Sequence, residues 1–272
     1  MTGAWIKCLG IACTFVGSIY IYGRPSPFKA RDDPEMIRRR FVSVFLTCLV
    51  AWIPLALDLH QKENQTPRLL EEALGLKFDG LVAACTLPLI LTAILFFGPL
   101  IHKLVDGELH WPTTGKTFLQ FARTFLVAPI AEEFCFRSCM IPLLLGRGTT
   151  VTTAVLCSPL LFGAAHLHHG WELKCQGYPA ALIVQNIGLM FGYTTVFGWY
   201  AAFLFHRTGH LAGAILPHMF CNYMGFPNFH LIPEHPHMIL LAISYLMGIF
   251  GFSMLLVPIT DPNFYNRVSA II

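Results

Sequence analysis

Residues 118 to 145 read FLQFARTFLVAPIAEEFCFRSCMIPLLL. The run is apolar and long enough to cross a bilayer as a helix, which takes about 20 such residues. Yet Glu132, Glu133 and Arg137 sit inside it. A charge at mid-bilayer costs roughly 2.5 to 3.5 kcal/mol, so three within six residues demand compensation. Helical spacing supplies part of it, because Glu133 and Arg137 are four apart with the acid on the N-terminal side, the favourable order for an ion pair. Glu132 points about 100° away from Glu133 and is left without a local partner.

The rest of the chain makes a membrane setting the natural one. Of 272 residues, 55% are apolar and only 12% charged, against about 25% charged in soluble domains. The mean hydropathy is +0.61. We read an all-α polytopic membrane protein, a bundle of about eight transmembrane helices forming one domain over residues 1–272. The spans fall near 3–23, 41–59, 81–100, 118–145, 150–166, 181–205, 211–226 and 237–257. LLEEALGLKFD is a short amphipathic piece between the second and third. The first span carries only Lys7 as a basic flank and no small-x-small cleavage site, so it reads as a retained anchor.

Net charge is +3, too slight to argue for a nucleic-acid partner. Six Lys/Arg in GRPSPFKARDDPEMIRRR after the first span place that loop in the cytosol. The NQT sequon at Asn64 then falls in the lumen. The nine cysteines are scattered through the spans without a C-x-x-C pair and read as small core hydrophobes.

Two more polar groups interrupt apolar runs. The fifth run ends SPLLFGAAHLHHG, with Phe162 and His166 four apart. The seventh reads LAGAILPHMFCNYMGF, with His218 and Asn222 four apart. Two histidines, an asparagine and an unpaired glutamate in three separate spans describe a polar pocket within the bundle. Pro129, Pro159 and Pro217 lie beside these positions, where a lost intrahelical bond opens space. His168 and His169 fall where the span meets the loop and read as solvated interfacial histidines.

Glutamate with histidine serves as a base on water, and a second histidine with an asparagine supplies two donors to an oxyanion. That is the equipment of non-covalent amide hydrolysis. Cys135 is the most plausible thiol nucleophile but lies around the helix from Glu132. Zinc stays open as a rival, since Glu132, His166 and His218 are legitimate ligands, although H-E-x-x-H is absent. A proton-coupled transporter and a non-enzymatic membrane scaffold are further alternatives, the first expected to carry intramembrane charges too.

EEFCFR fits E-E-x-x-x-R, FGAAH fits F-x-x-x-H and HMFCN fits H-x-x-x-N, in that order. This resembles the signature of the type II CAAX prenyl endopeptidases, the Ras-converting branch of the wider CPBP/abortive-infection membrane protease family. DDPEMIRRRFVSV and GHLAGAILPHMFCNYMGFP resemble its eukaryotic members. The resemblance implies a multi-pass hydrolase of the endoplasmic reticulum membrane, its site open to the cytosol. It would remove the last three residues from prenylated CaaX proteins such as Ras-type small GTPases. By motif position Glu132 and His166 would activate water, His218 and Asn222 would hold the oxyanion, and Glu133, Arg137 and Phe162 would support them. The family view favours a metal-free, cofactor-free mechanism.

Overall fold

A computed structural model describes residues 2–22, 32–61, 67–110 and 112–267. Asn64 and residues 23–31 of the basic loop lie outside them. Among the described residues there are helices and no strands. The long helices are α1 (Thr2–Tyr22), α2 (Pro34–Ala51) continued by α3 (Ile53–His60), α5 (Leu81–Leu95), α6 (Phe97–Val105), α10 (Val151–Ala165), α12 (Ala180–Thr208), α13 (Ala212–Met224) and α14 (Met238–Ile259). The short α4 (Pro67–Ala73) overlaps the start of the expected amphipathic piece, and α11 (His168–Cys175) follows α10.

Every expected apolar run is helical, but they are not eight equal spans. Among the described residues five helical stretches are long and apolar enough to cross a membrane, and α5 with α6 makes a sixth if that bent pair is one span. The pair turns by 65°, where the sequence suggested one span near 81–100. Pro99, in the first turn of α6, has no N–H to give the Leu95 carbonyl four residues back, so α5 cannot continue through the break as one regular helix.

The two remaining runs carry Glu132, Glu133, Arg137, His218 and Asn222. α13 has 13 residues and reaches only about 20 Å at 1.5 Å per residue, less than a hydrocarbon core of about 30 Å. It starts just after Gly209, left-handed at φ 65°, and stops before Gly225 at φ 69°. The run 118–145 is one continuous rod in alternating registers: α7 (Phe118–Ala122), a π-helix (Arg123–Val127), α8 (Ala128–Glu133), a second π-helix (Phe134–Cys139) and α9 (Met140–Leu145). Both are wrapped by neighbours, α13 by α5, α8 and α12, and the rod by α1, α2, α10, α12 and α13. Glu133, Arg137 and His218 are buried in protein, which is the condition for irregular or charged segments at membrane depth.

Close packing of α10 on α12 closes this wrapping through small residues. A Cβ at Gly198 would stand 2.7 Å from Pro159 Cβ and 3.3 Å from Arg137 Nη2. Gly198→Ala is therefore expected to force the helices apart at a cost of about 1–3 kcal/mol, read as a lower unfolding midpoint in detergent with reduced activity. Elsewhere Asp58 on α3 is buried but satisfied: Lys7 bonds it, and Arg147 donates to it at 2.9 and 2.7 Å, tying α1 and the end of α9 to α3. All nine cysteines are free thiols, Cys8, Cys135 and Cys139 being buried in the apolar core.

Candidate active site

Glu133, at the end of α8, is 0% exposed, and Arg137, in the second π-helix, is 1% exposed. Glu133 Oε2 lies 3.2 Å from Arg137 Nε. This is ion-pair distance without hydrogen-bond alignment, and Nη1 and Nη2 of Arg137 have no acceptor among the described residues. The guanidinium instead stacks 4.1 Å over the Phe162 ring and 5.8 Å from that of Phe197. A desolvated cation over an aromatic face gains about 2 kcal/mol, which helps explain why a buried arginine is held between two phenylalanines.

The other Glu133 oxygen, Oε1, bonds His218 Nδ1 at 2.7 Å. A carboxylate accepts only, so Nδ1 carries a proton and Nε2 is the free ring atom. It stands 3.8 Å from Glu132 Oε2, beyond a direct hydrogen bond. Glu132 is the more accessible carboxylate, its side chain 18% exposed. Phe197 covers the His218 ring at 4.6 Å between centroids.

His166 caps the C-terminal end of α10. Its Nδ1 donates to the Phe162 carbonyl at 2.8 Å, which leaves the Nε2 lone pair available to take a proton. Phe162 joins the parts: its ring meets His166 at 4.8 Å, His218 at 6.5 Å and Phe136 at 5.1 Å, all edge-on, with Arg137 on its face. His166 is within electrostatic reach of Glu132 and His218. Six sequence-derived residues from three helices, Glu132, Glu133, Arg137, Phe162, His166 and His218, thus converge.

Asn222 lies one turn beyond His218 on α13, is exposed, and donates its amide to the Thr124 carbonyl at 2.9 Å. The local register explains that acceptor. Ala128 N–H bonds Arg123 in the π pattern rather than Thr124, and Pro129, next in that pattern, has no N–H to give. The orphaned carbonyl is satisfied from α13, fixing the Asn222 side chain beside the rod.

Three features were not legible from spacing. Glu133 is shared between Arg137 and His218. Phe197, one of many apolar residues in α12, packs on both. His168 and His169 are not solvated: both are half-buried, their rings 4.0 Å apart, with His169 Nδ1 2.9 Å from Glu172 Oε2. Among the described residues two groups have ligand atoms all within 4.8 Å of one another, His102–Asp106–His235 and His168–His169–Glu172. Glu132, His166 and His218 do not form such a group. Cys135 is fully buried with its Sγ 4.0 Å from that of Cys48, a core position.

Comparison with known proteins places this arrangement. Residues 114–224 match the Rce1-like family model, described as type II CAAX prenyl endopeptidase. These residues contain all three motifs. The chain is 38% identical to CAAX prenyl protease 2 of Homo sapiens, over 97% of this chain and 84% of that protein. It is 34% identical to CAAX prenyl protease 2 of Arabidopsis thaliana, over 98% of this chain and 92% of that protein, and 34% identical to that of Rattus norvegicus, over 97% and 83%. No solved structure matches. With clear identity along nearly the whole length and the three motifs inside the matched residues, the chain belongs to the type II CAAX prenyl endopeptidases.

Proposed function

We propose that the protein cuts the C-terminal aaX tripeptide from prenylated CaaX proteins by a water molecule activated at Glu132 and His166. The observation that carries this reading is the convergence of Glu132, His166 and His218 from three helices around Phe162 within a membrane-spanning bundle. The Nε2 lone pair of His166 suits a base, and Glu132, outside the Glu133–Arg137 pair, is free to share that task. His218 is oriented by Glu133. With both ring nitrogens protonated, its Nε2 donates to the oxyanion of the tetrahedral intermediate. One N–H of Asn222 is held by Thr124, and the second serves as the other donor. No step requires a metal ion.

A prenyl chain gains about 0.8 kcal/mol per buried methylene in the bilayer, so an enzyme within that bilayer meets its substrate already concentrated there. Substrates such as Ras-type small GTPases, residence in the endoplasmic reticulum membrane and an opening toward the cytosol, the side of the basic loop, complete the proposal.

The test is incubation of the purified protein with a prenylated CaaX peptide and its unprenylated counterpart. Tripeptide release from the prenylated peptide alone is expected, undiminished by chelators. Equal cleavage of both would remove prenyl recognition, and loss on chelation would restore the zinc alternative. Asn222→Ala is expected to lower turnover about 100- to 1,000-fold, the usual effect of losing one oxyanion donor. A smaller loss would limit Asn222 to its Thr124 contact.

A further inference from the structure

Beside the proposed catalytic group lies a second polar cluster. Arg40, on α2, bonds Glu172 of α11 through Nη2 at 2.5 Å. Glu172 also holds His169 at 2.9 Å, and the His169 ring is 6.1 Å from that of His166. The Arg40 and Glu172 side chains are 14% and 10% exposed. Arg40 Nε is buried and has no hydrogen-bond partner among the described residues. A guanidinium offers five donors, and a buried donor left unmatched is costly. The cluster is therefore short of one acceptor.

Resting on the endopeptidase reading, we propose that Arg40 binds the C-terminal carboxylate of the CaaX substrate, with Glu172 and His169 as positioning residues. Geometry supports the assignment. From the scissile bond to the terminal carboxylate are three residues, which extended span about 10–11 Å at 3.3–3.6 Å each. Contacts lead from the His166 ring to His169, from His169 to Glu172 and from Glu172 to Arg40, so the cluster starts beside the proposed base and extends away from it, as a site for the substrate's end must. Such a contact makes the enzyme a ruler: it selects a chain that ends three residues beyond the prenylated cysteine. Chemistry favours an anion over a divalent metal, although His168, His169 and Glu172 are close enough to hold one. A metal would have to displace or sit beside the positive charge already fixed on Glu172, whereas a carboxylate matches the planar donors of arginine. An anionic lipid headgroup offers the same chemistry, and the test separates the two sources.

The experiment compares a prenylated CaaX peptide ending in a free carboxylate with the same peptide ending in a carboxamide, in vesicles of neutral lipid and in vesicles containing phosphatidylserine. The native protein is expected to favour the acid by about 10- to 100-fold in kcat/KM, the effect of one charge-assisted hydrogen bond, mainly through KM. Arg40→Gln is expected to abolish that preference, bringing the acid-to-carboxamide ratio of kcat/KM to about one, a ratio that does not depend on how much of the preparation is folded. Should Arg40→Gln not fold, inhibition of the native protein by the product tripeptide decides: the acid is expected to inhibit more strongly than its amide by a similar factor. Equal native rates on acid and amide would overturn the proposal, as would equal loss on both in the variant. An Arg40 effect confined to phosphatidylserine vesicles and equal for the two peptides would assign the site to lipid instead. Absence of any cleavage by the native protein would sink the endopeptidase reading itself, and the carboxylate site with it.

Discussion

Glu132→Gln is expected to insert, fold and release no tripeptide above roughly one thousandth of the native rate. The substitution keeps size and hydrogen-bonding shape while removing the negative charge and the basic oxygen. A positioned general base contributes about 100- to 10,000-fold, so the loss falls in kcat. Folding is expected to be nearly untouched. Glu132 Oε2 is 3.8 Å from His218 Nε2, beyond a direct hydrogen bond, and takes no part in the Glu133–Arg137 pair, so its removal leaves no stranded partner. Replacing a charge by an amide inside a membrane bundle also relieves desolvation. The unfolding midpoint should stay within about 2–4 °C of native, the shift of one kcal/mol in a chain of this size. Turnover by mass spectrometry and thermal unfolding on one preparation check both halves. Native turnover in the variant would remove Glu132 from the mechanism, and collapse of the midpoint would recast it as structural.

The sequence made the fold class readable because membrane helices announce themselves by composition, and each of the expected apolar runs is helical. Span count was less legible. Length and apolarity do not say how much of a helix packs on protein, and α13 and the rod over 118–145, which bear Glu132, Glu133, Arg137, His218 and Asn222, each pack against several other helices. The site shows the same divide. Pairs four residues apart, Glu133 with Arg137 and Phe162 with His166, follow from helical geometry. Contacts between helices do not, since His218 meets Glu133 across 85 positions and Asn222 meets Thr124 across 98. The π segments escape periodicity for a related reason: each displaces the register by one residue while the residue types remain those of any apolar helix. Hence Glu133 read as half of a helical ion pair, while the fold also gives it the histidine.

That double attachment makes Glu133→Ala the most disruptive single change expected. Removing one member of a buried pair costs about 3–5 kcal/mol because the other charge is left uncompensated, and Arg137 is 1% exposed with its Nη atoms already lacking acceptors. A fall of roughly 6–20 °C in the unfolding midpoint follows. Activity is expected to fail separately, since His218 loses the acceptor at 2.7 Å that fixes its Nδ1 proton. The two effects come apart in the double variant Glu133→Gln with Arg137→Met. An uncharged pair of similar volume is often as stable as the buried ion pair it replaces, so the midpoint should return toward native. The His218 ring would still lack its carboxylate, so tripeptide release should stay at least about 100-fold below native. Recovery of turnover together with stability would show that Glu133 serves the fold alone, and that His218 needs no carboxylate to do its work.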